Sequence, residues 1–127
     1  TRKDIQADKL AFMGISWGGR MGSMLPALEN RIKVVVLGSG GFRPQTTLPQ
    51  VDQINFVPRV TVPVLMVNGR YDFLFPVESG QLPMFRLLGT PAEHKRHVLV
   101  DSGHVIPAHV LAKEAIAWLD RHLGPVK

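Results

Sequence analysis

The sequence predicts an α/β fold: a mainly parallel sheet of about four strands with flanking helices. Two observations predict it. Four short apolar runs are each closed by turn-forming residues, as buried strands are. Segments with helical apolar spacing lie between them, so strands and helices alternate along the chain in the manner of βαβ units.

The first strand is Leu10-Ala11-Phe12-Met13, closed by Gly14. The second is Val34-Val35-Val36-Leu37, β-branched and closed by Gly38. The third, Val62-Pro63-Val64-Leu65-Met66-Val67, is closed by Asn68-Gly69, and the fourth, His97-Val98-Leu99-Val100, by Asp101-Ser102-Gly103. A first helix is expected from Trp17 to Leu28, with Met21, Met24, Leu25 and Leu28 on one face and Pro26 forcing a kink or an early end. A second is expected from Val77 to Leu88, with Leu82, Phe85 and Leu88 inward and Pro83 inside it. In the last, Pro107 suits the first turn, Leu111, Ala115, Trp118, Leu119 and His122 share a face, and Gly124-Pro125 stops the helix. The stretch from Gly38 to Thr61 is rich in Pro, Gly, Gln and Thr. It reads as a loop too short for a separate cap domain.

At 127 residues the chain fits one domain or part of one. It does not begin with Met, so it is read as a piece of something longer, with no signal-peptide apolar region at its start. No apolar run approaches the roughly 18 residues that span a bilayer, so no membrane partner is expected. Cysteine is absent, which removes disulfides, thiolate metal ligands and a cysteine nucleophile. A cytoplasmic location is the expectation compatible with that. The net charge of +5 is scattered, and the one dense run, His94-Lys95-Arg96-His97, has no aromatics interleaved to stack bases. No nucleic-acid partner is therefore expected.

Three motifs carry chemistry. Gly14-Ile15-Ser16-Trp17-Gly18 is a G-x-S-x-G between a predicted strand and a predicted helix. A serine on so tight a turn is held in a strained backbone with its hydroxyl pushed outward, and Gly14 and Gly18 are expected where side chains would clash. The Trp17 backbone N–H is placed to donate to a developing oxyanion. Asn68-Gly69-Arg70-Tyr71-Asp72 puts a carboxylate after the third strand, where such sheets build their sites and where it could orient a histidine. Asp101-Ser102-Gly103-His104 puts a histidine after the fourth strand, able to reach back as a base. Each motif alone has an ordinary structural explanation. Together they lie at the same sheet edge in the order serine, aspartate, histidine, which singles out Ser16, Asp72 and His104.

Other residues fit these roles less well. Asp101 is close enough to His104 to cap its loop, Asp52 lies away from any strand end, His109 falls inside the last helix, and His94 and His97 precede or begin a strand. Ser39, in Gly38-Ser39-Gly40-Gly41, lacks the lysine that follows in a P-loop and reads as a loop residue beside the site. The histidines have no metal-ligand spacing, so no metal is expected. Phe73, Phe75, Phe42 and Trp17 suggest an apolar rim.

The run from Asp8 to Arg20, DKLAFMGISWGGR, resembles the nucleophile elbow of the α/β-hydrolase superfamily, nearest the prolyl-oligopeptidase-like and dienelactone-hydrolase-like branches. Pro63–Asp72 and Asp101–His104 are similar to that family's acid and base motifs. Asn55–Val60, Leu88–Pro91 and Trp118–Pro125 also resemble hydrolase-like C-terminal regions attached to bacterial serine/threonine kinases. The resemblance implies Ser16 as nucleophile, Asp72 as acid and His104 as base. It also implies a small-molecule ester or peptide substrate, an acyl-enzyme intermediate and no cofactor. Dienelactone hydrolases use cysteine, which this chain lacks, so an esterase or peptidase is favoured.

The family fold has about eight strands with the elbow after the fifth. Residues 1–127 would then be the C-terminal part of a single hydrolase domain. The missing N-terminal half would be its partner, and the chain alone would be prone to self-association through a bare sheet edge. The loop supplying a second oxyanion donor would be missing too, at a cost of about 10²–10³ in turnover. The alternative reading is a non-catalytic hydrolase-fold module that binds or regulates within a larger signalling protein.

Overall fold

The computed structural model describes residues 5–45 and 47–125. Strands β1 (Leu10–Ile15), β2 (Ile32–Gly38), β3 (Val64–Gly69) and β4 (Lys95–Val100) form one sheet in the order β1-β2-β3-β4, every pair parallel. Helix α1 (Trp17–Met21) follows β1, α2 (Leu82–Leu87) precedes β4, and α3 (Ala108–Leu123) follows it. Among the described residues, no helix is long and apolar enough to cross a membrane.

The two central strands are apolar on both faces because both faces are covered. On one face Val34, Val36, Leu65 and Val67 pack against Leu111, Ala115 and Trp118 of α3. On the other, Val35, Leu37, Val64 and Met66 pack against Met84, Leu88, Val57 and Val60. The last two come from the stretch between β2 and β3. That stretch is less of a loop than its composition suggests: it folds into short 3₁₀ turns at Pro49–Val51, Gln53–Asn55 and Val57–Arg59.

Three helical expectations need correction. Helix α1 ends at Met21, with Gly22 as its cap, and Pro26 falls in a separate 3₁₀ turn at Leu25–Ala27. Pro26 has no N–H to give back to the preceding turn. The expected inward face therefore breaks up: Met24 is buried, but Leu25 and Leu28 are exposed. Before α2, Val77–Gln81 is wound as a π-helix, and Pro83 sits in the first turn of α2, where no N–H is needed. The residue this helix buries is Met84, not Leu82. Pro107 stands just before the first residue of α3, and Gly124 ends that helix with φ 82°.

Among the described residues, strand β1 pairs only with β2. By register, Ala11, Met13 and Ile15 share the α3 face with Val34 and Val36. Met13 and Ile15 are nonetheless 46% and 54% exposed. A groove of about 700 Å³ continues this surface, lined by Leu10 and Ala11 on one side and Leu119 and Leu123 on the other.

His97 of β4 lies opposite Met66, its ring 5.5 Å from that of Phe85, with a buried Nε2 that has no hydrogen-bond partner among the described residues. Burial holds its pKa below the ordinary 6.5. His122 is shifted the same way, by burial first and then by Arg121 and His94. The unfolded chain thus binds protons that the folded state refuses, and stability is lost as pH falls below about 6.5. The urea midpoint is expected to drop between about pH 7.5 and about pH 5.5, and to drop less in His97→Leu.

Candidate active site

The turn between β1 and α1 holds Ser16 at φ 56°, ψ −113°, a left-handed conformation that an L-residue occupies only under strain. Its N–H donates to the Gly38 carbonyl at 2.9 Å, tying the turn to the end of β2. A Cβ on Gly14 would collide with the Gly18 carbonyl, as expected from the motif. Gly18 differs from expectation: a Cβ there meets open space. The glycine that must be small is Gly19, whose Cβ would strike the Gly38 carbonyl.

Asp72 follows β3, is 3% exposed, and has each carboxylate oxygen assigned to a different task. Oδ1 accepts the N–H groups of Leu74 at 2.9 Å and Phe75 at 3.1 Å. Oδ2 lies 2.9 Å from Nδ1 of His104. His104 Nε2 in turn lies 2.7 Å from Ser16 Oγ. The structure therefore brings together the three side chains that the sequence singled out, in one line from hydroxyl to imidazole to carboxylate. A carboxylate only accepts, so Nδ1 carries the hydrogen and Nε2 offers its lone pair to the serine hydroxyl.

The loop bearing His104 is seated closely on the end of β3. Arg70 N–H donates to Val100 at 2.8 Å and Tyr71 N–H to Ser102 at 3.0 Å. A Cβ on Gly69 would overlap the Gly103 carbonyl, so this seat requires glycine. The Asp72 loop is braced from below by Gln81, fully buried, whose Nε2 donates to the carbonyls of Gly69 at 2.9 Å and Phe75 at 2.7 Å. Sequence reasoning missed Gln81. Its only signal was a polar residue on the way into an apolar helical face.

The weaker candidates go elsewhere. Asp101 pairs with Arg70 at 2.8 Å on the surface, Asp52 accepts from Ile54 N–H at the start of a 3₁₀ turn, and His109 is exposed on α3. His94 packs edge-on to His122. The expected apolar rim is revised: Phe75 is buried with its ring 5.9 Å from that of His104, and Phe42 is half-buried against the core. Ile15, Trp17, Tyr71, Phe73 and Val105, which flank Ser16, Asp72 and His104 in the chain, are exposed. Trp17 opens α1, so its N–H has no acceptor within the helix.

Solved structures share this fold. A cold-adapted esterase from an Arctic intertidal metagenomic library superposes with a TM-score of 0.75 at 28% identity, over 91% of this chain and 50% of that one. The fold is that of the α/β-hydrolase superfamily. The same α/β-hydrolase fold is matched in acetyl xylan esterase 1 of a Thermoanaerobacterium species, with a TM-score of 0.73 at 18% identity over 94% of this chain and 47% of that one. The enol-lactonase of Burkholderia xenovorans LB400 matches with a TM-score of 0.68 at 16% identity, over 90% of this chain and 66% of that one. The chain spans about half the length of the esterases. No protein-family model and no curated relative matches it.

Proposed function

We propose that this chain carries the catalytic residues of a serine hydrolase that cleaves ester bonds. The observation behind the proposal is the line of hydrogen bonds from Ser16 through His104 to Asp72, begun by a serine in a strained turn. The names of the esterase neighbours favour ester over peptide substrates.

The residues suit a two-step acyl transfer. Ser16 Oγ attacks the ester carbonyl carbon as His104 Nε2 takes its proton, and the Trp17 N–H donates to the resulting oxyanion. The C–O bond to the alcohol breaks, and the alcohol leaves with the proton from Nε2. Water then attacks the acyl-serine, giving its proton to Nε2, and the collapse returns that proton to Ser16 and releases the carboxylic acid. Asp72 holds the imidazole in the required tautomer and offsets its positive charge between these steps.

Residues 1–127 form, in this proposal, the C-terminal part of a single hydrolase domain whose N-terminal half covers β1 and supplies the second oxyanion donor. The match to about half of each esterase supports this, as do Met13 and Ile15 standing exposed on the strand that pairs on one side. The full-length protein is expected to hydrolyse p-nitrophenyl acetate, with residues 1–127 alone slower by about 10²–10³ for want of that donor. Equal rates for the two would reject the division of labour. A folded full-length protein without turnover would reject the hydrolase reading in favour of a binding module.

A further inference from the structure

We infer that Ser39 is a positioning residue for the catalytic histidine, an inference that rests on the serine-hydrolase reading. Ser39 is fully buried, immediately beyond β2, between the strands that carry Ser16 and Asp72. Its Oγ donates to the backbone carbonyl of His104 at 2.7 Å. Its N–H donates to Val67 of β3 at 2.9 Å, and the carbonyl of neighbouring Gly38 accepts the Ser16 N–H. Residues 38 and 39 therefore touch the segments of all three catalytic side chains.

The conformation argues that the hydroxyl is there for a purpose. Ser39 has φ 48°, where an L-residue is strained and glycine is not. It is the one non-glycine in Gly38-Ser39-Gly40-Gly41. Glycine would remove the strain, but it would also remove the donor that reaches His104. The other ties of the histidine loop to β3, at Val100 and Ser102, end two residues short of it. Ile106 anchors the chain only beyond it, in the core under α3. Ser39 thus secures the backbone of residue 104 itself, and with it the reach of Nε2 to Ser16. Misplacing a catalytic group by about 1 Å can cost about 10²-fold in rate.

The test compares Ser39→Gly and Ser39→Ala in the full-length protein, with Ser39→Cys as an isosteric variant should either fail to fold. Both Gly and Ala lack the donor, but only Gly relieves the backbone. The expected result is a kcat for p-nitrophenyl acetate lower by about 10- to 100-fold in both, with KM within about twofold of the original. The low-field proton resonance of the His104–Asp72 hydrogen bond is expected to broaden or vanish in both. A role limited to packing or strain predicts instead that Ser39→Gly keeps the original kcat and resonance, which would overturn the inference. If the unaltered protein neither hydrolyses ester nor shows that resonance, the serine-hydrolase reading fails and the positioning role falls with it.

Discussion

Replacing His104 with alanine is expected to lower kcat for p-nitrophenyl acetate by about 10⁶-fold in the full-length protein, with KM little changed. Nε2 of His104 lies 2.7 Å from Ser16 Oγ and is the base of the proposed mechanism. Without it the hydroxyl proton has no acceptor during attack, and the departing alcohol has no donor. What survives is stabilisation by the oxyanion donors and by binding. Because the base and nucleophile act as a unit, Ser16→Ala and the double variant are expected to match His104→Ala rather than multiply its effect. Steady-state kinetics on variants with unchanged circular dichroism check this. A loss below about tenfold would mean that another group takes the proton.

Asp72→Asn is expected to lower kcat by about 10⁴-fold while leaving the fold intact. The reason lies in the two backbone donors on Oδ1, from Leu74 and Phe75. They fix the carbonyl oxygen of the new amide in the Oδ1 position, so its NH₂ group faces Nδ1 of His104. Nδ1 must then accept, and the imidazole hydrogen moves to Nε2. An Nε2 that already carries a hydrogen cannot take the proton of Ser16. A histidine proton spectrum would report the exchanged tautomer directly, alongside the kinetics.

The parts of the fold legible in the sequence were those fixed by burial. Val34 to Leu37 and Val64 to Val67 are buried on both faces, so they are apolar without alternation, and turn residues mark their ends. The three site side chains were legible because each stands just past a strand in a parallel sheet, which places them at a common edge. The short length of α1 was not. The helix ends at Gly22, where a Cβ would strike the Phe12 ring, and Pro26 falls in a separate turn; only the proline has a pattern along the chain. Gln81 and Ser39 escaped a functional reading for a different reason. Their hydrogen bonds go to main-chain carbonyls 12 and 65 residues away, and a carbonyl belongs to every residue, so no spacing announces the pairing. Gly19 was missed in favour of Gly18 because the clash that matters comes from the end of β2, remote in the chain.

In the proposed mechanism Ser16 is made nucleophilic by His104. Treatment of the full-length protein with a fluorophosphonate, followed by peptide mass spectrometry, addresses it most directly. One phosphonylated residue is expected, Ser16, and no adduct in His104→Ala. An adduct on another serine, or equal labelling of Ser16 in His104→Ala, would contradict it.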